Sequence, residues 1–160
     1  MAKKKQENKP KGVRVTNRKA RHDYEILEKV ECGIELVGTE VKSVRNGQIK
    51  IDEAYARLRN GELWLIGANI SLYQQAGEKM QHDPTRDRKL LIHRRQIRQL
   101  ETHVKQKGKT LVPLSVFFKR GWCKVDIGVA VGKRQYDKRE TLKRRQQERE
   151  MKRQMKRYNR

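Results

Sequence analysis

Positive charge is concentrated at the two ends of this chain, and that distribution restricts where a folded core can form. Residues 1–21 hold nine lysines and arginines against one acid, and residues 133–160 hold thirteen against four. These 49 residues carry +17 of the formal net charge of +22. Such segments repel themselves and bury too little apolar surface to offset the entropy lost on ordering a chain. The sequence therefore predicts a single core in the middle of the 160 residues.

We divide the chain into three regions on this basis. Residues 1–16 are predicted to be a disordered basic arm, residues 17–132 the folded domain, and residues 133–160 a basic tail. Because the charge is so one-sided, we expect contact with a polyanion, and nucleic acid fits best.

β-rich runs dominate the middle of the sequence. The Asn60-Gly61 dipeptide between two apolar runs is typical of a type I′ hairpin turn, whose central residues need positive φ. An earlier strand is expected to carry an irregularity near Cys32 and Gly33, because glycine tolerates a bulge. The predicted strands cover residues 24–36, 54–58, 63–66, 110–118 and 122–131.

Two short helices and a loop interrupt these strands. Thr39 can cap a helix that stops at Gly47. An amphipathic helix is expected over residues 94–107, with Gly108 as its stop, and the polar residues 74–89 predict a loop. Many strands with few helices between them favour a mainly β fold, an OB-like closed antiparallel barrel with two or three helices.

The basic tail has the pattern of a helix but little to stabilise one. Glu140 with Arg144, and Glu148 with Lys152, are favourably spaced pairs that contribute about 0.2–0.5 kcal/mol each. This is too little to hold a lone helix while thirteen cations repel one another. We predict that the tail is intrinsically disordered alone and becomes helical along an RNA surface.

Residue types suited to catalysis or metal binding are present but are not grouped in a pattern that supports either. The four histidines, His22, His82, His93 and His103, are scattered along the chain, and the two cysteines form no CxxC pair. Neither a P-loop nor a nucleophile elbow is present. The sequence predicts no catalytic residue, metal site or cofactor, and an RNA contact for His22 or His93.

Aromatic and basic side chains are the remaining candidates for nucleic-acid contact. Phe117, Phe118, Trp64 and Trp122 are expected in the core, because they lie in strand runs. Tyr136 lies among cations without apolar neighbours, which suits equally a ring that stacks on a base and an exposed ring without a partner. In the loop before residue 90, Arg86, Arg88 and Lys89 follow a proline, and guanidinium groups can grip phosphate in a bidentate manner.

Five sequence blocks add information that composition does not contain. They are Asn17–Tyr24, Gly38–Arg45, Asp83–Ile92, Gly132-Lys133 and Asp137–Arg139. Their residues, order and spacing across residues 17–140 resemble those of the small protein B family of SsrA-binding proteins. The resemblance implies an OB-fold barrel that binds the tRNA-like domain of transfer-messenger RNA. It also implies delivery of that RNA to stalled ribosomes for trans-translation, which rescues the ribosome and tags the unfinished peptide.

The resemblance also implies which residues meet each partner. The barrel would clasp the elbow of the tRNA-like domain, and the tail would become helical in the empty messenger channel beside the decoding centre. Glu31 would accept hydrogen bonds from base edges or 2′-hydroxyls, and Tyr136 stands where some members carry histidine. With His22 added for its chemistry, the RNA-binding set is Asn17, Lys19, Arg21, His22, Tyr24, Glu31, Lys42, Ser43, Arg45, Arg86, Arg88, Lys89 and Leu91. The ribosome-binding set is Gly132, Lys133, Arg134, Tyr136, Asp137, Lys138 and Arg139.

Two other functions are compatible with the same charge pattern. A general RNA chaperone or ribosome-assembly protein would use the barrel and basic segments without a dedicated RNA, whereas an RNA-modifying enzyme is disfavoured because it would need catalytic groups. The longest uncharged apolar run, Leu111–Phe118, is far shorter than the about 20 residues of a membrane span. With no secretory leader in the sequence, we expect a cytoplasmic protein that has neither a membrane nor a small-molecule partner.

Overall fold

The computed structural model describes residues 12–158 and is built mainly from β-strands. The strands are β1 (Arg14–Thr16), β2 (Tyr24–Ile34), β3 (Ile49–Lys50), β4 (Tyr55–Arg59), β5 (Glu62–Ile66), β6 (Asn69–Ile70), β7 (Arg88–Leu91), β8 (Lys109–Lys119) and β9 (Trp122–Gly132). The helices are α1 (Arg18–Asp23), α2 (Gly38–Arg45), α3 (Arg94–Val104) and α4 (Gln135–Tyr158), with a single 3-10 turn at Glu78–Met80.

All the strand pairings are antiparallel, and their order returns to the strand at which it begins. From β8 the pairing runs through β4, β5, β7, β2 and β9 and back to β8. β1 pairs with the second half of β8, and β3 pairs with β6 in a separate two-stranded sheet. The predicted mainly β, antiparallel architecture is confirmed, with four helices in the described residues instead of the two or three expected.

The core is built from alternate residues of these strands. Along β9, the alternate residues Val125, Ile127 and Val129 have no exposed surface. Fully burying one such side chain stabilises the fold by about 1.5–3 kcal/mol. Val44 of α2 and Leu100 of α3 join the same apolar cluster, so both helices are fixed to the sheet by buried side chains.

Two hairpins have turns of the same backbone geometry. Asn60 and Gly61 join β4 to β5 with φ of 51° and 73°, which confirms the predicted two-residue turn. Arg120 and Gly121 join β8 to β9 with φ of 51° and 80°. Both central residues of each turn are left-handed, as a type I′ turn requires.

The sequence predicted an irregularity of β2 near Cys32, but the structure places it at the start of the strand. The register with β9 shifts between Ile26 and Glu28, so Leu27 is the extra residue. Gly33 serves a different purpose, because a Cβ atom there would lie 3.2 Å from the Cβ of Leu91. The glycine allows β7 to approach closely, which is a packing requirement that local sequence does not reveal.

The two predicted helices form, but their ends differ from the prediction. α2 begins at Gly38, and Thr39 does not cap it but lies with its Oγ1 2.9 Å from Nδ1 of His82. α2 ends before Gly47, which has a φ of 74° as expected of a helix stop. α3 ends at Val104 and is thus shorter than residues 94–107.

The folded region begins earlier than predicted. Residues 14–16 of the expected disordered arm form β1, and Asn17 caps α1, a helix that the prediction missed. Residues 1–11 of that arm lie outside the described residues. Its boundary therefore falls before residue 14, because the β1 backbone pairs with β8.

Strand position does not place all four aromatic side chains in the core. Phe117 is buried, and Phe118 and Trp64 are half-buried. Trp122 is 73% exposed, so its assignment to the core was wrong. Trp122 is the first residue of β9, beside the hairpin turn, where the core no longer covers the strand.

The described part of the tail is helical. α4 occupies Gln135–Tyr158, the conformation predicted for the bound tail. That this segment is disordered in the free protein stays a prediction. No helix within residues 12–158 has the length and apolar content needed to cross a bilayer.

Candidate nucleic-acid interface

The residues predicted to bind RNA, together with the first three of the ribosome-binding set, fall into two groups at opposite ends of β2. Tyr24 pairs with Gly132 at the start of this strand, and Glu31 pairs with Asp126 near its end. Seven residues of strand separate Tyr24 from Glu31 by roughly 23 Å. We call the first group the α1 end: Asn17, Lys19, Arg21, His22, Tyr24, Gly132, Lys133 and Arg134. We call the second the α2 end: Glu31, Lys42, Ser43, Arg45, Arg86, Arg88, Lys89 and Leu91.

At the α1 end, Asn17 holds α1 against the sheet. Its Oδ1 accepts a hydrogen bond from the N–H of Ala20 at 2.8 Å, and its Nδ2 donates to the carbonyls of Ile51 and Pro113 at 2.9 and 3.0 Å. Only 1% of the residue is exposed. Asn17 therefore places its exposed neighbours Lys19 and Arg21 and does not itself reach the surface.

The α1 end also receives the start of the tail. The backbone N–H of Lys133 donates to the carbonyl of Asp23 at 2.9 Å, and its Nζ donates to the carbonyl of Arg21 at 3.2 Å. A cleft of about 570 Å³ lies between the barrel and α4 here. Its basic lining residues are Arg21, Lys29, Lys133, Arg144 and Arg145. Part of the RNA-binding set and part of the ribosome-binding set thus share one basic surface.

At the α2 end, one buried carboxylate holds two of the predicted phosphate-binding arginines. Glu40 Oε1 accepts hydrogen bonds from Nε of Arg86 and Nε of Arg88, each at 2.9 Å. Glu40 Oε2 accepts from Nη2 of Arg86 at 2.6 Å and from the N–H of Val37 at 2.9 Å. Arg88 also donates to the carbonyls of Ala68 and Pro84, at 2.9 and 3.0 Å. The bonds from Arg86 and Arg88 to Glu40 link α2 to β7 and to the loop that precedes it.

The ionisation of Glu40 follows from these contacts. Burial alone would raise the pKa of this carboxyl. The hydrogen bonds from Arg86 and Val37, together with the charge of Arg88, outweigh burial and hold the pKa of Glu40 below its usual range. The side chains of Glu40 and Arg88 are both 0% exposed. Arg88 therefore cannot meet RNA with its side chain in this arrangement, and its contacts support the α2 end from inside.

The other two cations of this segment, Arg86 in the loop and Lys89 in β7, are also engaged with carboxylates. Arg86 pairs with Glu40, and Lys89 pairs with Glu62. About a third of each cationic side chain remains exposed, 31% and 35%. A phosphate could approach either cation only from its open side, so the loop presents fixed positive charge and not free arms.

Several side chains of the α2 end remain exposed and directed by neighbouring rings or charges. The Arg45 guanidinium lies 5.5 Å from the centre of the Phe118 ring, and Lys42 Nζ lies 5.2 Å from the centre of the Tyr73 ring. Such contacts fix a cation without neutralising it. Leu91 on β7 is 52% exposed. This face thus combines oriented cations with an exposed apolar side chain.

Ser43 is buried with no exposed surface. Within residues 12–158 its hydroxyl has no hydrogen-bond partner. The side chain lies under the α2 end and does not form part of its outer surface. A larger side chain at this position would have to displace the packing of α2.

Only part of the predicted ribosome-binding set can be placed in detail. Arg134 and Arg139 are exposed. The structure does not describe the side chains of Tyr136, Asp137 and Lys138. Their predicted contacts stay predictions.

No cluster of three metal-binding side chains occurs within the described range. Both ring nitrogens of His82 have protein neighbours, the Oγ1 of Thr39 at 2.9 Å and the carbonyl of Ile70 at 3.0 Å. His22 lies 2.9 Å from a carboxylate oxygen of Asp23. These two histidines have structural neighbours that account for their positions.

The sequence reasoning missed three residues at the tip of the β8–β9 hairpin. Lys119, Arg120 and Trp122 are all exposed. Lys119 Nζ donates to both carboxylate oxygens of Glu31, at 3.2 and 3.0 Å, which joins the tip to the α2 end. The basic turn between two strands was visible in the sequence, but its proximity to Glu31 depends on the β2–β9 pairing.

Comparison with known proteins gives one consistent result. The family model described as "SmpB protein" matches residues 14–157. An SsrA-binding protein of Gloeothece citriformis is 59% identical over 142 residues, covering 89% of this chain and 92% of that protein. Another, of Levilactobacillus brevis, is 53% identical over 158 residues, covering 99% of this chain and all of its own length. A solved structure described as "tmRNA-SmpB: a journey to the center of the bacterial ribosome" has a TM-score of 0.65 and 47% identity. That match covers 81% of this chain and 94% of the other.

Proposed function

This chain belongs to the SmpB protein family, and from that premise we propose that it binds the tRNA-like domain of transfer-messenger RNA and delivers it to stalled ribosomes. The observation that carries the proposal is likeness to SsrA-binding proteins over nearly the whole chain, 99% of it in the Levilactobacillus brevis comparison. Both the barrel and the tail lie within that match. The protein therefore serves trans-translation, in which the rescued peptide is tagged.

The barrel supplies the contact with transfer-messenger RNA. The ring of antiparallel pairings supports an OB-like closed barrel, which places oriented cations at both ends of β2. Exposed Arg45 and Lys42 act at the α2 end, and exposed Arg21 acts at the α1 end. The buried members of the predicted set hold these exposed side chains in place. Recognition depends on fixed shape and charge, as is usual for structured RNA.

The tail supplies the contact with the ribosome. Residues 133–160 hold thirteen cations, and the described side chains of α4 after Arg139 are exposed. Ribosomal RNA of the decoding centre and messenger channel would neutralise this charge and order the segment. Binding and delivery require no bond-breaking step, and we assign the protein no catalytic role, no cofactor and a cytoplasmic location, where ribosomes translate.

A competition experiment tests this proposal against its main alternative. Labelled tRNA-like domain is bound to the protein at an ionic strength of about 0.15 M. Unlabelled tRNA or a ribosomal RNA fragment is then added in excess. We expect the specific complex to survive, with Kd rising steeply as salt increases because phosphate contacts release counterions. Equal competition by all RNAs would contradict the proposal and favour a general RNA chaperone or ribosome-assembly protein.

A matched pair of variants locates the contact on the barrel. Arg45→Ala removes a cation of the α2 end, and Arg57→Ala removes an exposed arginine of β4 outside both ends. We expect about tenfold weaker binding for the first and less than twofold for the second, because a charge-assisted contact contributes about 1.5–3 kcal/mol. Equal effects would mean that only total charge matters.

A further inference from the structure

The side chain of Trp122 projects from the outer face of the sheet beside the β8–β9 turn. Strand neighbours alternate between faces, and Cys123 and its partner Phe118 pack against the core. Trp122 and its partner Lys119 therefore point outward. Within residues 12–158 the other side chains leave Trp122 73% exposed. Neither the core nor the turn needs an indole at this place.

Three cations occupy neighbouring positions in the hairpin. Lys119 lies directly across the strand pair, Lys124 lies two residues along the same strand face, and Arg120 lies in the turn. Glu31 holds Lys119 through two hydrogen bonds of 3.0 and 3.2 Å. A flat aromatic ring bordered by cations is suited to a base flanked by phosphates. It is poorly suited to a protein partner, since protein interfaces need a larger apolar centre with few charges.

The turn provides an independent observation. Arg120 has a φ of 51°, the value that Asn60 has in the β4–β5 hairpin. Asparagine and glycine adopt this left-handed conformation readily, whereas arginine is disfavoured there. The chain thus places a less suitable residue at the tip next to Trp122, and a strained residue of this kind is typical of a functional site.

We propose that Trp122 stacks on an unpaired base of the tRNA-like domain while Arg120 and Lys119 contact the adjoining phosphates. This inference rests on the proposed function and adds a stacking site to it. Unpaired or terminal bases are the ones whose flat faces are free to stack on a protein ring. Glu31 then acts as a positioning residue, because it fixes the amine of Lys119, the residue paired with Trp122.

Binding measurements on Trp122 variants test the stacking. Trp122→Ala is expected to raise the Kd for the isolated tRNA-like domain about tenfold or more, and Trp122→Phe about threefold or less, because a smaller ring still stacks. Thermal unfolding of both variants should match that of the parent protein, since the side chain is exposed. If the parent protein binds its RNA selectively and Trp122→Ala has an unchanged Kd, the stacking proposal is overturned. Failure of the parent protein to bind selectively would instead contradict the proposed function.

Fluorescence gives a second, direct measurement. The chain has two tryptophans, so Trp64→Phe leaves Trp122 as the sole indole and Trp122→Phe leaves Trp64. On addition of the tRNA-like domain, we expect strong quenching in the first variant and little change in the second. Absence of quenching for Trp122 in the bound complex would overturn the proposal.

The two hairpins provide a matched test of Arg120. Arg120→Asn should relieve the left-handed strain, leave the unfolding temperature equal or higher, and weaken RNA binding about threefold or more. Asn60→Arg makes the reverse change in the same turn geometry and should lower the unfolding temperature with less than twofold change in binding. RNA binding by Arg120→Asn equal to that of the parent would remove Arg120 from the proposed contact.

Discussion

The cations of the barrel and those of α4 differ in whether carboxylates of the protein hold them. In the barrel, Arg86 and Arg88 share the buried carboxylate of Glu40. Across the described side chains of α4, one hydrogen bond between side chains, from Gln146 to Glu150, is present and no ion pair forms. The barrel therefore presents positive charge in a fixed geometry, whereas the tail carries charge that only a partner would neutralise.

A second buried carboxylate on the outer face of the barrel shows the same principle. Asp126 accepts hydrogen bonds from Ser115 at 2.8 Å and Arg14 at 3.2 Å, and it pairs with Lys29 at 3.0 Å. Its side chain is 3% exposed.

Fixed groups lose little conformational freedom on binding, so they favour recognition of one shape. Groups ordered only on binding adapt to a surface at a cost in affinity. The contrast fits one fixed RNA partner for the barrel and a later, larger surface for the tail.

Loss of the Glu40 carboxylate should have the largest effect on stability. Glu40→Ala leaves the buried Arg88 guanidinium without its counter-ion, which should lower the free energy of unfolding by about 3–5 kcal/mol. Glu150→Ala in α4 removes an exposed carboxylate and should change it by less than about 0.5 kcal/mol. Chemical denaturation of both variants measures the difference. Similar values would contradict the contrast between fixed and free charge.

The acid dependence of stability provides a second measure of the same pair. Because the folded pKa of Glu40 is lowered, its carboxylate contributes stability above the unfolded value, about pH 4.3, and loses it as pH falls through the folded value. Glu40→Gln cannot ionise at this position. The stability gap between parent and Glu40→Gln should therefore be widest near pH 7 and should narrow below about pH 4. A stability gap that widened on acidification would contradict a lowered pKa of Glu40 in the folded protein.

The smallest expected effect concerns the helix content of the free tail. If the tail is disordered alone, removing residues 133–160 should change the helical circular dichroism by much less than the 24 residues of α4 would contribute. Addition of inorganic polyphosphate should increase the helical signal of the full chain and leave that of the truncated chain unchanged. A full helical contribution from the free tail, without a polyanion, would contradict this prediction.

Features with local causes were predicted well from the sequence. The Asn60-Gly61 turn follows from the backbone preference of two adjacent residues. α1 could also have been found, since Asn17 is a favourable N-cap residue. Its six residues are too few for a clear helical pattern, and this is why it was missed.

Features that depend on distant pairing were not predicted. Arg88 looked like a loop cation available to phosphate, but its carboxylate partner is 48 residues away in the sequence. Trp122 looked like a core residue because composition cannot tell the end of a strand from its middle. In both cases the long-range arrangement decides whether a side chain is exposed, and charge or hydrophobicity alone does not.

A truncated chain of residues 1–132 tests most directly the division of labour between barrel and tail. Its Kd for the isolated tRNA-like domain should stay within about threefold of that of the full chain, because the tail contributes in a later event. Tagging of peptides on ribosomes stalled at the end of a message should be abolished. Loss of binding to the tRNA-like domain, or normal tagging without the tail, would contradict the account.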